Sequence, residues 1–211
     1  MTNFIPVFPL SIVVYPGENL NLHIFEPKFK QLTTDCIRDK KSFGIPSVLN
    51  KKMQEYGTMV EIIEVSKTYD DGSIDIKTKG LKVFRILEVI REIPEKLYCG
   101  AIVNYPGNHE KASPASLKKL LNSIEELHSL LNVSKDFTSN DNGVIAYEVA
   151  HHIGLSLEEE YDLLMLLDER QRVEYLQRHL LKVMPMLASM EELKEKIKLN
   201  GHFKNLQGFD I

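Results

Sequence analysis

The side chains in this 211-residue chain that could do chemistry are its seven histidines, its two cysteines and several short runs of carboxylates. The histidines are His23, His109, His128, His151, His152, His179 and His202. No two stand in the H-E-x-x-H arrangement that sets a pair of imidazoles on one helix face for zinc. His151 and His152 are adjacent, so on a helix they project about 100° apart and do not converge on one ion. Structural or surface roles suit all seven, and neither a metal nor a cofactor is implied. The carboxylate runs are Asp70-Asp71, Glu125-Glu126, Glu158 to Glu160 and Glu191-Glu192. The first belongs to a turn and the third to a helix start. None is embedded in apolar sequence that would raise a carboxyl pKa for acid–base work. Cys36 and Cys99 read as reduced, buried or half-buried thiols. No G-x-x-x-x-G-K-[ST] loop is present to cradle phosphates, and no G-x-S-x-G turn to expose a serine. The residues point to a protein that is not an enzyme.

The basic run Lys77-Thr78-Lys79-Gly80-Leu81-Lys82 is the best candidate for contact with nucleic acid. On a strand Lys77 and Lys79 share a face opposite Ile76. Asp75 lies on that same face, and no aromatic is interleaved for base stacking. A solvated sheet face is the simpler reading. Net charge is −4, from 26 basic and 30 acidic residues, which exerts no general pull toward nucleic acid or an acidic membrane. No apolar run approaches the roughly 20 residues that cross a bilayer. The N-terminal stretch lacks the basic region of a signal peptide, and Pro6 and Pro9 interrupt its apolar part. A cytoplasmic protein is expected.

The elements that must position these groups fall into two halves. Residues 4 to 15 are apolar but broken by proline, which suits edge or irregular extended segments. Pro16-Gly17 is a turn. Leu20 to Phe25 alternates like a strand with one buried face, and Glu26-Pro27 opens a helix that ends near Asp39 to Lys41. Ser42 to Leu49 reads as a strand. Thr58 to Tyr69 and Ser73 to Lys79 form a hairpin about Asp70-Asp71-Gly72. Gly80 permits a bend or bulge, Leu81 to Leu87 continues as a further strand, and Tyr98 to Tyr105 is the last. The polar stretch Pro106 to Pro114 divides the chain into a β-rich part, 1–106, and a helical part, 107–211. Ser113 caps a helix carrying Leu117, Leu120, Leu121, Ile124, Leu127 and Leu131 at helical spacing. A second polar linker follows over 132–143, then a short helix from Val144 to Ile153 stopped by Gly154. Ser156 to Glu159 is a capping box, and Asp168 to Gln171 starts a helix by the same logic. That helix runs to about Leu199, with Pro185 expected to kink or divide it. Its apolar positions, Val173 to Met190, fit packing in a local bundle, with a dimer seam as the alternative. Residues 201–211 form a tail.

Fifteen residues carry a family resemblance: Tyr15-Pro16-Gly17, the alternating run Leu20 to His23, Ile24-Phe25-Glu26-Pro27, then Lys28 and Phe29. This stretch resembles the signature of the substrate-binding, or N-terminal, domain of the Lon proteases. Lys28 and Phe29 stand where the family more often has Arg and Tyr, and Asn21 where a proline is common. Phe43-Gly44, Gly57, Gly80-Leu81 and Phe84-Arg85-Ile86 follow in the family's order. The resemblance implies an α+β fold: a PUA-like twisted β-barrel with one packed helix, followed by an α-helical bundle. It also implies a recognition domain that stands apart from ATPase and peptidase modules.

Within that frame Tyr15, Phe25, Pro27, Phe29, Phe43 and Phe84 are the candidate binding residues. Most aromatic residues of this kind fill cores. The functional alternative is a shallow groove that accepts extended apolar segments, where apolar contact supplies affinity and an exposed sheet edge pairs with any backbone. The leading expectation is a non-catalytic module that binds unfolded or extended protein segments and presents them to a protease or chaperone. An RNA-binding PUA-like protein is the runner-up, and it requires a contiguous basic face. A hydrolase would require a deep pocket with convergent polar groups, for which the sequence offers no set.

Overall fold

The computed structural model describes residues 2–131, 133 and 146–203. Six strands, β1 (Thr2–Pro6), β2 (Asn19–Ile24), β3 (Phe43–Leu49), β4 (Lys52–Thr68), β5 (Ile74–Ile90) and β6 (Gly100–Asn104), form one antiparallel sheet. Helix α1 (Pro27–Asp39) lies between β2 and β3 in sequence, and α2 (Pro114–Leu131), α3 (Ala146–Val149), α4 (Leu157–Met165) and α5 (Glu169–Phe203) follow the sheet. The linker expected over 132–143, the start of the helix expected at Val144 and most of the expected tail lie outside the described residues. Among the described residues no helix is long and apolar enough to cross a membrane.

The local signals act as their chemistry requires. Glu26 is extended at the start of α1, with Pro27 in the first turn where its missing N–H costs nothing. The Ser156 Oγ accepts from the Glu159 N–H at 3.2 Å while the Glu159 carboxylate accepts from the Ser156 N–H at 2.8 Å, so both halves of the capping box form. The Ser113 Oγ caps α2 through the Ser116 N–H at 3.1 Å. Pro185 does not divide the last helix, which continues past it.

The strands run in the order β1-β6-β5-β4-β3, with β2 added to β5. The expected barrel is therefore corrected to an open sheet. Its two ends, β1 and β3, are bridged by single parallel pairs, Val7 with Gly44 and Leu10 with Ser47. Pro6 and Pro9 sit in the segment that would close the ladder, and neither has an N–H to donate. What forms instead is intermittent: Phe8 N–H to Gly44 O at 2.8 Å, Leu10 N–H to Pro46 O at 3.2 Å.

β5 passes through Gly80 as one strand rather than the expected two. Three register shifts on it share a pattern. Met59 pairs with Lys82 and Val60 with Gly80, so Leu81 is an extra residue. Ile62 pairs with Thr78 and Glu64 with Lys77, so Ile63 is extra on β4. Ile86 pairs with Val103 and Glu88 with Ile102, so Leu87 is extra. A bulge residue falls out of the two-residue alternation and can face water even when apolar. Leu81, Ile63 and Leu87 are 40%, 55% and 51% exposed.

The helices pack against the sheet at one junction. Tyr15, Leu49 and Val83 share one hydrophobic cluster with Leu120, Tyr147 and Leu176. The Tyr15 ring stacks on Tyr147 at 4.9 Å, and its hydroxyl donates to the Glu160 carbonyl at 3.0 Å. Beside it the His151 ring bridges the two parts, with Nδ1 2.6 Å from Glu160 and Nε2 3.2 Å from Glu18. The Glu18 carboxylate also accepts from the Tyr15 N–H at 2.8 Å. Below this, the fully buried Arg172 pairs with Glu169 at 2.7 Å and donates to Asn108 at 2.8 Å and the Leu166 carbonyl at 2.7 Å. Those bonds tie the 106–114 stretch to the start of α5.

The turn that carries Tyr15 is held against β5 by two backbone hydrogen bonds, Gly17 N–H to Gly80 O at 2.9 Å and Gly80 N–H to Glu18 O at 2.8 Å. A Cβ at position 80 would stand 2.2 Å from the Tyr15 carbonyl oxygen. Gly80→Ala should therefore destabilise the protein by about 1–3 kcal/mol, as overpacking does. Gly107→Ala, where a Cβ meets nothing within 4 Å, should stay within about 0.5 kcal/mol of the parent. Denaturant unfolding of the two variants checks this, and equal midpoints would contradict it.

The two carboxylates raise the His151 pKa to about 9, through the Glu160 hydrogen bond first and the Glu18 bond second. The folded value lies above the ordinary 6.5 of a free imidazole, so the charged ring stabilises the fold fully below pH 6.5. That stabilisation is lost as pH rises through 9. The gap in unfolding midpoint between the protein and His151→Gln should accordingly be widest near pH 6 and close by about pH 10. A pH-independent gap would contradict the bridge.

Candidate binding surface

The six residues singled out from the sequence separate into two groups. Tyr15, Phe43 and Phe84 are wholly buried and Phe29 nearly so. Phe29 stacks on Phe8 at 3.7 Å, and Phe8 meets Phe43 at 6.2 Å. The Phe84 ring lies over two glycines: a Cβ at Gly44 would come within 2.8 Å of it and one at Gly57 within 2.7 Å. Four of the six thus build the core and the junction between sheet and helices. Phe25 and Pro27 are exposed, Phe25 by 61%.

Phe25 is set at the outer end of β2, where the strand stops because Pro27 begins α1. It does not stand alone. The His23 ring stacks beside it at 6.0 Å, and Tyr69 meets His23 edge-on at 5.5 Å. The pairing of β2 with β5 places His23 opposite Asp75. The Asp75 carboxylate lies 2.6 Å from His23 Nδ1 and accepts the Tyr69 hydroxyl at 2.7 Å. These two bonds, His23 first, hold the Asp75 carboxyl below its usual range, and the same carboxylate pushes the Tyr69 phenol up. Lys67 sits 4.3 Å over the Tyr69 ring. The adjoining turn is fixed by Asp71, which accepts from the Ser73 N–H at 2.9 Å, and by Lys30, which donates to the Asp71 carbonyl at 3.0 Å. The result is an aromatic ridge in which one carboxylate holds His23 and Tyr69, with Phe25 and His23 exposed and Tyr69 half-buried.

Burial pushes the Cys36 thiol up to about 12, leaving it protonated and inert. Among the described residues no group of three or more His, Cys, Asp or Glu is placed to hold a metal ion. Within the basic run Lys77 is paired with Glu64 at 2.6 Å and Lys82 lies 3.8 Å over the Tyr105 ring, while Lys79 is exposed. An opening beside the helix junction, about 740 Å³, is walled by the Pro16–Gly17 turn, Lys79, Leu81 and the Tyr147 to His152 segment. Its charges are of both signs, and no nucleophile is aligned in it.

Sequence reasoning missed His23 and Tyr69, because their contact depends on the β2–β5 register, which is long-range. It missed the exposure of Ile63 and Leu87 because a bulge leaves no composition signal. Gly80 was the one local hint for Leu81.

Comparison with known proteins agrees with this architecture. Residues 5–182 match the model of the ATP-dependent protease La (LON) substrate-binding domain. The Lon N-terminal domain protein from Xanthomonas campestris is similar in structure, with a TM-score of 0.66 and 24% identity over 83% of this chain and 98% of that one. The N-terminal domain of the Mycobacterium avium complex Lon protease gives a TM-score of 0.62 and 13% identity over 84% of this chain and 98% of its own length. At these identities the structural likeness speaks for the fold alone. No curated protein sequence matches the chain. With the family model spanning the sheet, the junction and most of the helices, this chain belongs to the Lon substrate-binding domain family.

Proposed function

We propose that this protein is a non-catalytic cytoplasmic module that binds unfolded or extended segments of other proteins and presents them to a protease or chaperone. The family supports the coarse part of this reading: its substrate-binding domain is distinct from the domain that carries protease activity. The observation that carries it furthest is Phe25, an aromatic side chain 61% exposed and flanked by His23 and Tyr69. Clustered apolar groups exposed to water mark contact sites, and aromatics dominate binding energetics. In this reading the β-rich part, 1–106, is a PUA-like recognition unit, and the helices after it form a bundle that braces it. Neither the paired Lys77 nor the stacked Lys82 favours RNA as the ligand.

The test is binding of a permanently unfolded client, such as a reduced and alkylated secreted protein, followed by fluorescence anisotropy. Phe25→Ser should weaken that binding by about 1–2 kcal/mol, the value of one well-placed aromatic contact. Its unfolding midpoint should stay within about 0.5 kcal/mol of the parent, because the side chain faces solvent. No binding by the parent, or undiminished binding by the variant, would overturn the assignment of this surface.

A further inference from the structure

The outer edge of β4 is only half used. β4 runs from Lys52 to Thr68, and β3 pairs with it from Lys52 as far as Val60, opposite Phe43. Beyond that point the chain of β3 has turned away into α1. From Glu61 to Thr68 the other side of β4 stays paired to β5, down to Thr68 opposite Ile74. Among the described residues no strand occupies the vacant side. A groove of about 360 Å³ lies along it, with the C-terminal end of α1 as one wall and Glu61 to Val65 as the other. Ile37 projects from the helix wall, and Ile63 and Val65 from the strand wall, all three exposed.

We propose that this groove takes an extended apolar segment of a client protein as an added strand, collinear with β3 and hydrogen-bonded to β4. The inference rests on the substrate-binding reading and names how the substrate would be held. Three features argue for this occupant. The edge continues from a ladder that pairs β3 as far as Val60, and bulges at Ile63 and Ser66 shift the β5 register along the stretch beyond it. The extra residue Ile63 turns an apolar side chain toward the groove while its backbone lies outside the β5 register. The walls carry charges of both signs, Lys40 and Lys41 against Glu61 and Glu64, and Glu64 is already paired with Lys77. Such a lining suits a main chain with uncharged side chains and repels neither polarity of peptide. It gives affinity through backbone groups common to every sequence, which suits a receptor for unfolded clients of many kinds.

The test uses the full chain and two probes. One is a fluorescent ten-residue peptide alternating Val and Thr between terminal lysines. The other is the same peptide with every second amide N-methylated, which removes donors on one edge and leaves the side chains. The unmodified peptide should bind, and N-methylation should weaken it by at least about tenfold, the effect of losing a net hydrogen bond or two. Ile63→Lys should weaken the unmodified peptide to a similar extent, while Leu87→Lys, at a bulge away from the groove, should not. Equal affinity for the two peptides, or insensitivity to Ile63→Lys, would overturn the added strand while leaving the substrate-binding reading intact. If the chain instead self-associates through this edge, so that Ile63→Lys abolishes a dimer and leaves peptide binding unchanged, a second copy is the occupant and the inference falls. If the parent binds neither these peptides nor any unfolded client, the substrate-binding reading itself falls.

Discussion

Everything in this structure turns on one backbone-to-backbone contact, the approach of the Tyr15 carbonyl to Gly80. Only a residue without a Cβ allows it. The contact brings the Pro16-Gly17 turn flat against β5, with two hydrogen bonds to Gly80 fixing its position. That placement sends the Tyr15 ring into the helices rather than into the sheet. It also puts Glu18 where His151 can reach both it and Glu160. Sheet and helices consequently share one cluster of packed side chains through Tyr15, Leu49 and Val83, beside two further clusters that belong to the sheet and α1.

This packing explains why aromatic residues close in sequence have opposite fates. Phe29 and Phe43 meet at Phe8, and Phe84 occupies the space that Gly44 and Gly57 leave. Phe25 is separated from Phe29 by little more than the Glu26-Pro27 switch, yet that switch ends β2 before its last side chain can be covered. Three other exposed apolar groups of the sheet have a different origin. Ile63, Leu81 and Leu87 are each the surplus residue of a bulge, turned outward because the pairing slips beneath them.

Much of the fold could be read from residues whose effect is local. The Pro16-Gly17 turn, the Glu26-Pro27 start of α1 and the Ser156 to Glu159 capping box all act within a few positions, and all appear as written. The hairpin of β3 and β4 was missed, although Asn50 and Lys51 both take positive φ, 50° and 63°, and asparagine tolerates that region. Closure of the sheet was misjudged because the resemblance implied a barrel, while Pro6 and Pro9 limit the joining segment to isolated bridges. Of the proposed binding surface, Phe25 and Pro27 were legible as apolar residues at a turn. His23, Tyr69 and Asp75 were not, since their meeting is decided by the register of strands some fifty residues apart in sequence.

The junction at Gly80 and the proposed client surfaces make different demands of the molecule in solution. Amide hydrogen exchange should be measured with and without a saturating unfolded client. The amides of the Tyr15 to Glu18 turn and of Gly80 should be equally slow in both states, while those of Glu61 to Thr68 and of the Phe25 end of β2 should slow when client is added. Protection that instead appears at the turn and at Gly80 only when client is present would mean that the junction is assembled by its ligand, and would contradict the account.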